Sequence, residues 1–327
     1  MNQLLERFER IRRDPARLVD YLRQPRKLVV GGLTLNRLGL QAARAIKERV
    51  SWSLRTTEVP PRLKSKLETL NRDGFLVIEN FLPPDEFRTL EAELKAIEHL
   101  PQDFFQTIPF GENFTSRLFM VSKHPEEYPA FATRLRDHQD MYTLACAVAR
   151  RRPSYKPMVT LQWVHKIDPD KPHQDFEYNS YLHVDRHFPF LKAFLYLRDV
   201  DPDCAPYTYV KGSHKFNWDR LRFEYKLGVK HSAVRSRGLS FEEHYTPEQK
   251  SKDGGLVALA EELRDRQKLE QVAIAAKKNT LIISNNQGLH CRGAMHSRKS
   301  RVTANIDFKF LESWAHKLYP ILKRLEK

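Results

Sequence analysis

His183 and Asp185 stand two residues apart in Tyr181-Leu182-His183-Val184-Asp185-Arg186-His187, a stretch that reads as a β-strand. Residues i and i+2 of a strand point to the same face, so an imidazole and a carboxylate can reach one point together. Such a pair is two thirds of the two-histidine, one-carboxylate set that binds Fe(II) and leaves coordination positions open. Surface strands carry the same pair by chance, so a third ligand must come from another strand. His290 offers it at the end of the run Asn279 to His290. His296 is a rival, but it follows no strand and stands only five residues before Arg301.

The next strand, from Arg301, places Arg301, Thr303 and Asn305 on one face and Val302, Ala304, Ile306 and Phe308 on the other. A polar face turned into a barrel lines a cavity, and a buried guanidinium calls for an anion. A dicarboxylate co-substrate supplies one through a bidentate pair with Arg301, with the Thr303 hydroxyl adding a contact. Gln162, on an earlier strand with Thr160, and Lys192, at the start of the strand after the metal pair, are further candidates for that co-substrate, each with a structural role as the alternative. His187 shares the alternation of His183 and Asp185 and reads as a pocket residue. His214 reads as the holder of a turn, Arg292 and Arg298 as exposed loop residues, and Cys291 as packing.

These residues need a scaffold, and the chain supplies mostly short strands. Val159–His165, Tyr181–His187, Ala193–Arg198, Thr208–Val210, Asn279–Ser284 and Arg301–Phe310 follow a period of two. Upstream, Leu63 to Leu70 reads as a helix, Asn71 to Gly74 as a turn and Phe75 to Ile78 as a strand. A further helix opens at Pro83-Pro84-Asp85 and runs through Ile97. Helices followed by many strands imply a mainly β chain, an antiparallel barrel or sandwich with helices packed outside. Residues 215–276 carry no strand signal and read as a lid-like insertion.

The 327 residues carry 56 Lys and Arg against 41 Asp and Glu, a formal charge of +15. Residues 1–58, a helical extension with 13 Lys and Arg and 6 Asp and Glu, hold +7 of it. Leu38, Ala42, Ile46 and Val50 recur there at helical spacing among cations. That pattern fits peripheral contact with an anionic membrane surface, and also an arm packed on its own domain. The main domain is expected over 59–315 and a basic tail over 316–327. Three scattered cysteines without a CxxC exclude a disulfide scaffold and a zinc ribbon, which points to a cytoplasmic protein. The best apolar stretch, Leu28 to Ile46, contains Arg37, Arg44 and Gly31-Gly32 and does not read as a transmembrane helix. The basic balance fits an anionic substrate better than nucleic acid, since no basic run forms a stacking platform outside Lys215 to Lys230.

Four ordered stretches resemble the phytanoyl-CoA dioxygenase family of Fe(II)- and 2-oxoglutarate-dependent oxygenases. They are Asn71 to Leu82; His183-Val184-Asp185 with Leu191 to Val200; Tyr209-Val210-Lys211-Gly212-Ser213-His214; and His290 with Arg301 eleven residues later. The resemblance spans residues 66 to 312. It implies a double-stranded β-helix (jelly-roll, cupin-like) core, iron held by His183, Asp185 and His290, and 2-oxoglutarate anchored by Arg301. The implied activity consumes O2 and 2-oxoglutarate, releases succinate and CO2, and hydroxylates an unactivated carbon of a small or lipid-linked, anionic substrate. Related halogenases have a small residue where Asp185 stands, which favours hydroxylation. The competing readings are a non-catalytic ligand-binding barrel and a nucleic-acid-acting oxygenase. Oligomeric state is not legible.

Overall fold

The computed structural model describes residues 28–110, 114–166, 180–237 and 255–313. The tail expected over 316–327 and the first 27 residues of the extension lie outside these. Helices α1 (Leu33–Arg37) and α2 (Leu40–Ser53) come first. Pro61 then occupies the first turn of α3 (Pro61–Asp73), where its missing N–H costs no intrahelical bond. Gly74, at φ 89°, ends that helix in the left-handed conformation. A Cβ there would meet the Tyr209 hydroxyl at 2.5 Å. Strand β1 (Phe75–Ile78) follows, then α4 (Pro84–Glu98) with Asp85 and Glu86 in its first turn, where carboxylates suit the helix dipole.

After these come β2 (Gln106–Phe110), β3 (Phe114–Phe119), α5 (Gln139–Ala149), β4 (Met158–Lys166), β5 (Leu191–Tyr196) and β6 (Tyr207–Val210). The segment read as a lid-like insertion folds into α6 (Trp218–Ser236) and α7 (Gly255–Arg266), then returns a strand, β7 (Gln271–Ile274). Strands β8 (Leu281–Asn285), β9 (His290–Arg292) and β10 (Arg301–Asp307) complete the chain.

Seven strands form one antiparallel sheet in the order β1-β8-β5-β10-β4-β3-β2, and three form a second in the order β7-β6-β9. The two sheets face each other across a cavity, as a double-stranded β-helix requires. Alternation sorts the large sheet. Leu161, Leu195, Leu281, Val302, Ala304 and Ile306 are fully buried in a core shared with Leu63, Leu70 and Leu90 of the outer helices. Each Leu, Ile or Val hidden there contributes about 1.5–3 kcal/mol. The opposite face brings Gln162, Thr303 and Tyr196 into one row across β4, β10 and β5.

Two strand expectations need correction. Tyr181–His187 is not a strand: His183 forms a single bridge with His290, and past it the Asp185 N–H donates to the carbonyl of Asn286. His290 does not end the strand that begins near Asn279 either. Strand β8 stops at Asn285, a turn reverses the chain, and His290 opens β9 in the other sheet.

Helix α2 is inverted relative to its hydrophobic pattern. Its buried residues are Gln41, Arg44, Ala45 and Glu48, while Ile46 and Val50 face outward. The polar face meets partners from distant parts of the chain. Arg44 pairs with Glu312 and Arg151 with Glu48 (3.0 Å), and Glu48 also accepts from the N–H of Ser313 (2.8 Å). Gln41 donates to Glu224 (2.9 Å), which takes two bonds from Arg220. Residues 28–55 are thereby tied to α6 and to the end of the described chain.

Candidate metal and co-substrate site

The bridge between His183 and His290 is a pair of backbone hydrogen bonds, each 3.0 Å, that sets the two imidazoles side by side with ring centroids 4.4 Å apart. Asp185 comes up beside them: its Oδ1 is 3.7 Å from His183 Nε2 and its Oδ2 3.6 Å from His290 Nε2. One ligand atom from each of the three lies within 4.8 Å of the other two. The Nδ1–H of His183 donates to the carbonyl of Tyr181 (2.7 Å) and that of His290 to the carbonyl of Gly288 (3.0 Å). A carbonyl only accepts, so these bonds fix the tautomer that turns both Nε2 lone pairs toward the common point. The donor set fits a divalent metal with positions to spare.

Electrostatics agree. Burial, with the second imidazole beside it, pushes the His183 imidazole down to about 3, so it is neutral, as a metal ligand must be. Burial opposes the charged form of Asp185, but Lys192, 2.8 Å away, and the two imidazoles outweigh it and hold the carboxyl well below its ordinary range. Lys192 is in turn raised, because Asp185 and Asp307 outweigh the effect of burial.

The triad opens onto a cavity of about 210 Å3 walled by both sheets. Gln162, Lys192, Phe194, Tyr196, Arg301, Thr303 and Asn305 come from the large sheet, and Tyr207, His290, Cys291 and Arg292 from the small one. Arg301 is buried, donating to the carbonyl of Ala205 (2.7 Å) and, at 3.4 Å, to Gln162. Gln162 also accepts from Asn305 (3.1 Å), and the Thr303 hydroxyl donates to Asn305 (3.0 Å). A guanidinium, a hydroxyl and amides in one wall suit a small dicarboxylate. A second cavity of about 440 Å3 shares Gln162 and Asn305 with the first. Phe104, Leu118, Phe119, Met120 and Met158 give it an apolar wall, and Lys123, His124 and Asp307 a polar one.

All of Gln162, His183, Asp185, Lys192, His290, Arg301 and Thr303 therefore meet at one cavity. Lys192 pairs with Asp185 (2.8 Å) and Asp307 (3.6 Å), the structural role that stood as the alternative to a co-substrate contact. His187 does not line the cavity, because the alternation that would carry it there breaks at Asp185. It is buried beside Glu312, its Nε2 3.9 Å from the carboxylate. Arg292, expected in solvent, is buried in the cavity wall and donates to Ser180 (3.0 Å). Its position two residues after His290 on β9 gives it the same face. His296 is outside the triad, and the His214 ring donates to the carbonyl of Asn71 (3.1 Å), which ties the Gly-Ser-His turn to α3. Among the described residues of 215–276, none lines either cavity.

The sequence reading missed Asn286. Its amide donates to Asp185 (3.1 Å) and to His290 Nε2 (3.0 Å), while its carbonyl accepts from Ser284, which itself accepts from the Tyr207 hydroxyl. The signal was present: Asn285-Asn286-Gln287-Gly288 is a polar turn set against the third ligand. Gly288 is required there, since a Cβ would come within 1.9 Å of the Tyr209 hydroxyl.

A family model for phytanoyl-CoA dioxygenase (PhyH) matches residues 70–281, more than half of the chain, and stops short of His290 and Arg301. No curated protein matches. Among solved structures, EctD from S. alaskensis with bound Fe is similar at 19% identity and a TM-score of 0.46, covering 77% of this chain and 79% of its own. AviO1 from Streptomyces viridochromogenes Tue57 is similar at 15% identity and a TM-score of 0.45, covering 76% and 95%. HygX from Streptomyces hygroscopicus, with nickel and 2-oxoglutarate bound, is similar at 18% and 0.41, covering 74% and 85%. With the family matched over 70–281, the chain belongs to the phytanoyl-CoA dioxygenase family of Fe(II)- and 2-oxoglutarate-dependent oxygenases.

Proposed function

We propose that this oxygenase is a cytoplasmic hydroxylase acting on an unactivated carbon of a small or lipid-linked, anionic substrate. The observation that carries the reading is the convergence of His183, Asp185 and His290 in one cavity with the buried Arg301. His183 Nε2, the Asp185 carboxylate and His290 Nε2 would hold Fe(II), and Arg301, with Thr303 beside it, would take the distal carboxylate of 2-oxoglutarate. Iron held there would supply activation of O2, coupled to oxidative decarboxylation of 2-oxoglutarate to succinate and CO2, with the second oxygen atom going to the substrate as a hydroxyl. Lys192 keeps Asp185 ionised, and Gln162 orients Arg301. Phe194, Tyr196 and Tyr207 exclude water from the site. Asp185 fills the position that a halogenase leaves open, which supports hydroxylation.

The adjoining cavity, with its apolar wall, supports a place for the carbon skeleton of the substrate. Arg292 in the wall of the metal cavity, together with the net charge of +15, supports an anionic group on it. Calorimetric titration of the protein with 2-oxoglutarate, with and without a divalent metal, tests the reading. Binding that requires the metal is expected; no binding in either condition would falsify it.

A further inference from the structure

We propose that α2 is a docking face for an anionic phospholipid bilayer. A helix on a globular domain ordinarily turns its apolar stripe inward. Here the inward face is given to Gln41, Arg44 and Glu48, whose partners come from α5's C-terminal flank, α6 and the end of the described chain. The apolar stripe is left outside: Leu38 is 78% exposed, Ile46 44%, Val50 52% and Leu54 82%. Ile46, Val50 and Leu54 recur every four residues along about 12 Å at the helical rise, and Leu38 stands just before the helix, ahead of Gly39. An apolar run of this kind on a soluble domain marks an interaction surface.

Charge selects the partner. Between Leu28 and Thr57 the single acidic residue is Glu48, and it is buried. Arg37, Lys47 and Arg49, all exposed, flank the stripe, so this face presents apolar groups and cations without an exposed carboxylate of its own. Tyr225 of α6, exposed and donating to the carbonyl of Arg37 (3.2 Å), adds an amphipathic ring at the edge, a residue type favoured at membrane–water interfaces. Apolar side chains on one side of a helix with Lys and Arg beside them are the features by which helices lie on anionic membranes. A second copy of the chain would set like charges against each other. A protein partner needs a complementary surface of about 800 Å2 on each side, whereas a bilayer accepts a convex ridge without one. No helix among the described residues is long and apolar enough to cross a membrane, so the contact is peripheral.

The test is flotation of the full chain with vesicles of phosphatidylcholine alone and with one third phosphatidylserine, at about 0.15 M salt. Flotation with the phosphatidylserine vesicles only is expected. The double variants Ile46→Glu/Val50→Glu and Lys47→Glu/Arg49→Glu should each lose about tenfold or more in apparent affinity, with succinate release from 2-oxoglutarate unchanged. The milder Val50→Gln is read beside them, so the result does not depend on the folding of a double variant. Failure of the wild type to float with anionic vesicles overturns the proposal, and so does flotation of Val50→Gln and both double variants like the wild type. Light scattering that shows a dimer converted to monomer by Val50→Gln also overturns it, by making the face an interface between copies.

Discussion

Asn286 donates its side-chain amide to the Oδ2 atom of Asp185 at 3.1 Å, and the same nitrogen lies 3.0 Å from His290 Nε2. One neutral side chain thus spans two of the three proposed metal ligands, braced through Ser284 by Tyr207. A metal at His290 Nε2 takes the lone pair that this amide meets, so Asn286 supports a loaded site through Asp185, and removing such a group behind a ligand weakens metal binding by about 10–100-fold. Asn286→Ala is expected to weaken Co(II) or Fe(II) binding, titrated anaerobically, by that amount, and Ser284→Ala by less. An unchanged affinity in Asn286→Ala would remove Asn286 from the site.

Arg301→Lys keeps the charge but loses the planar fork. The loss of one charged hydrogen bond corresponds to an increase of about 10–100-fold in KM for 2-oxoglutarate. Steady-state succinate release over a range of 2-oxoglutarate concentrations reads this directly. A KM like that of the wild type would mean that another group anchors the co-substrate.

Glu48 is buried against Arg151 and accepts both the backbone N–H and the hydroxyl of Ser313. Removing one member of a buried pair leaves the other charge uncompensated, at a cost of about 3–5 kcal/mol. Chemical denaturation of Glu48→Ala should show that loss. The exposed Lys64→Ala on α3 should stay within about 0.5 kcal/mol of the wild type. If Glu48→Ala is as stable as Lys64→Ala, the network does not hold α2 in place.

Stability should also depend on pH. Burial, and then Arg44, Arg186, Arg151 and Arg220, hold His187 neutral far below its ordinary range, and His183 is pushed down to about 3. An unfolded histidine titrates near ~6.5. Below that pH the unfolded chain binds more protons, so stability is full above about pH 6.5 and falls as the pH drops toward 3. Each group contributes a slope of about 1.4 kcal/mol per pH unit inside the window. Urea denaturation of the metal-free protein at pH 7, 6 and 5 measures the slope, and His187→Gln should make it shallower by one group's share. An identical slope in that variant contradicts the assignment.

Much of the site was legible because its chemistry follows local rules. The alternation of Arg301, Thr303 and Asn305 places those side chains on one face of β10, and the close spacing of His183 and Asp185 keeps the pair together although their stretch forms one bridge with His290 rather than a strand. Strand β1 was legible over Phe75–Ile78 because a turn and a proline pair bracket it. Strand β2 was not, since Pro109 in its interior argues against a strand. Strand β7 was not, since four residues at a sheet edge give too little pattern. The inverted face of α2 lay beyond any local reading. Its partners Arg151, Glu224 and Glu312 stand 103 to 268 residues away, and only the folded chain shows that a polar face has outcompeted an apolar one for the interior. Asn286 was hidden for a related reason: its ligand partner Asp185 is 101 residues distant.

The central claim is that His290, beyond the stretch matched by the family, completes the metal site with His183 and Asp185. Succinate release from 2-oxoglutarate by iron-loaded wild type, His290→Ala and His296→Ala measures it most directly. Activity in the wild type and in His296→Ala, with His290→Ala reduced to the metal-free background, is the predicted result. Activity retained by His290→Ala, or lost in His296→Ala alone, would contradict it.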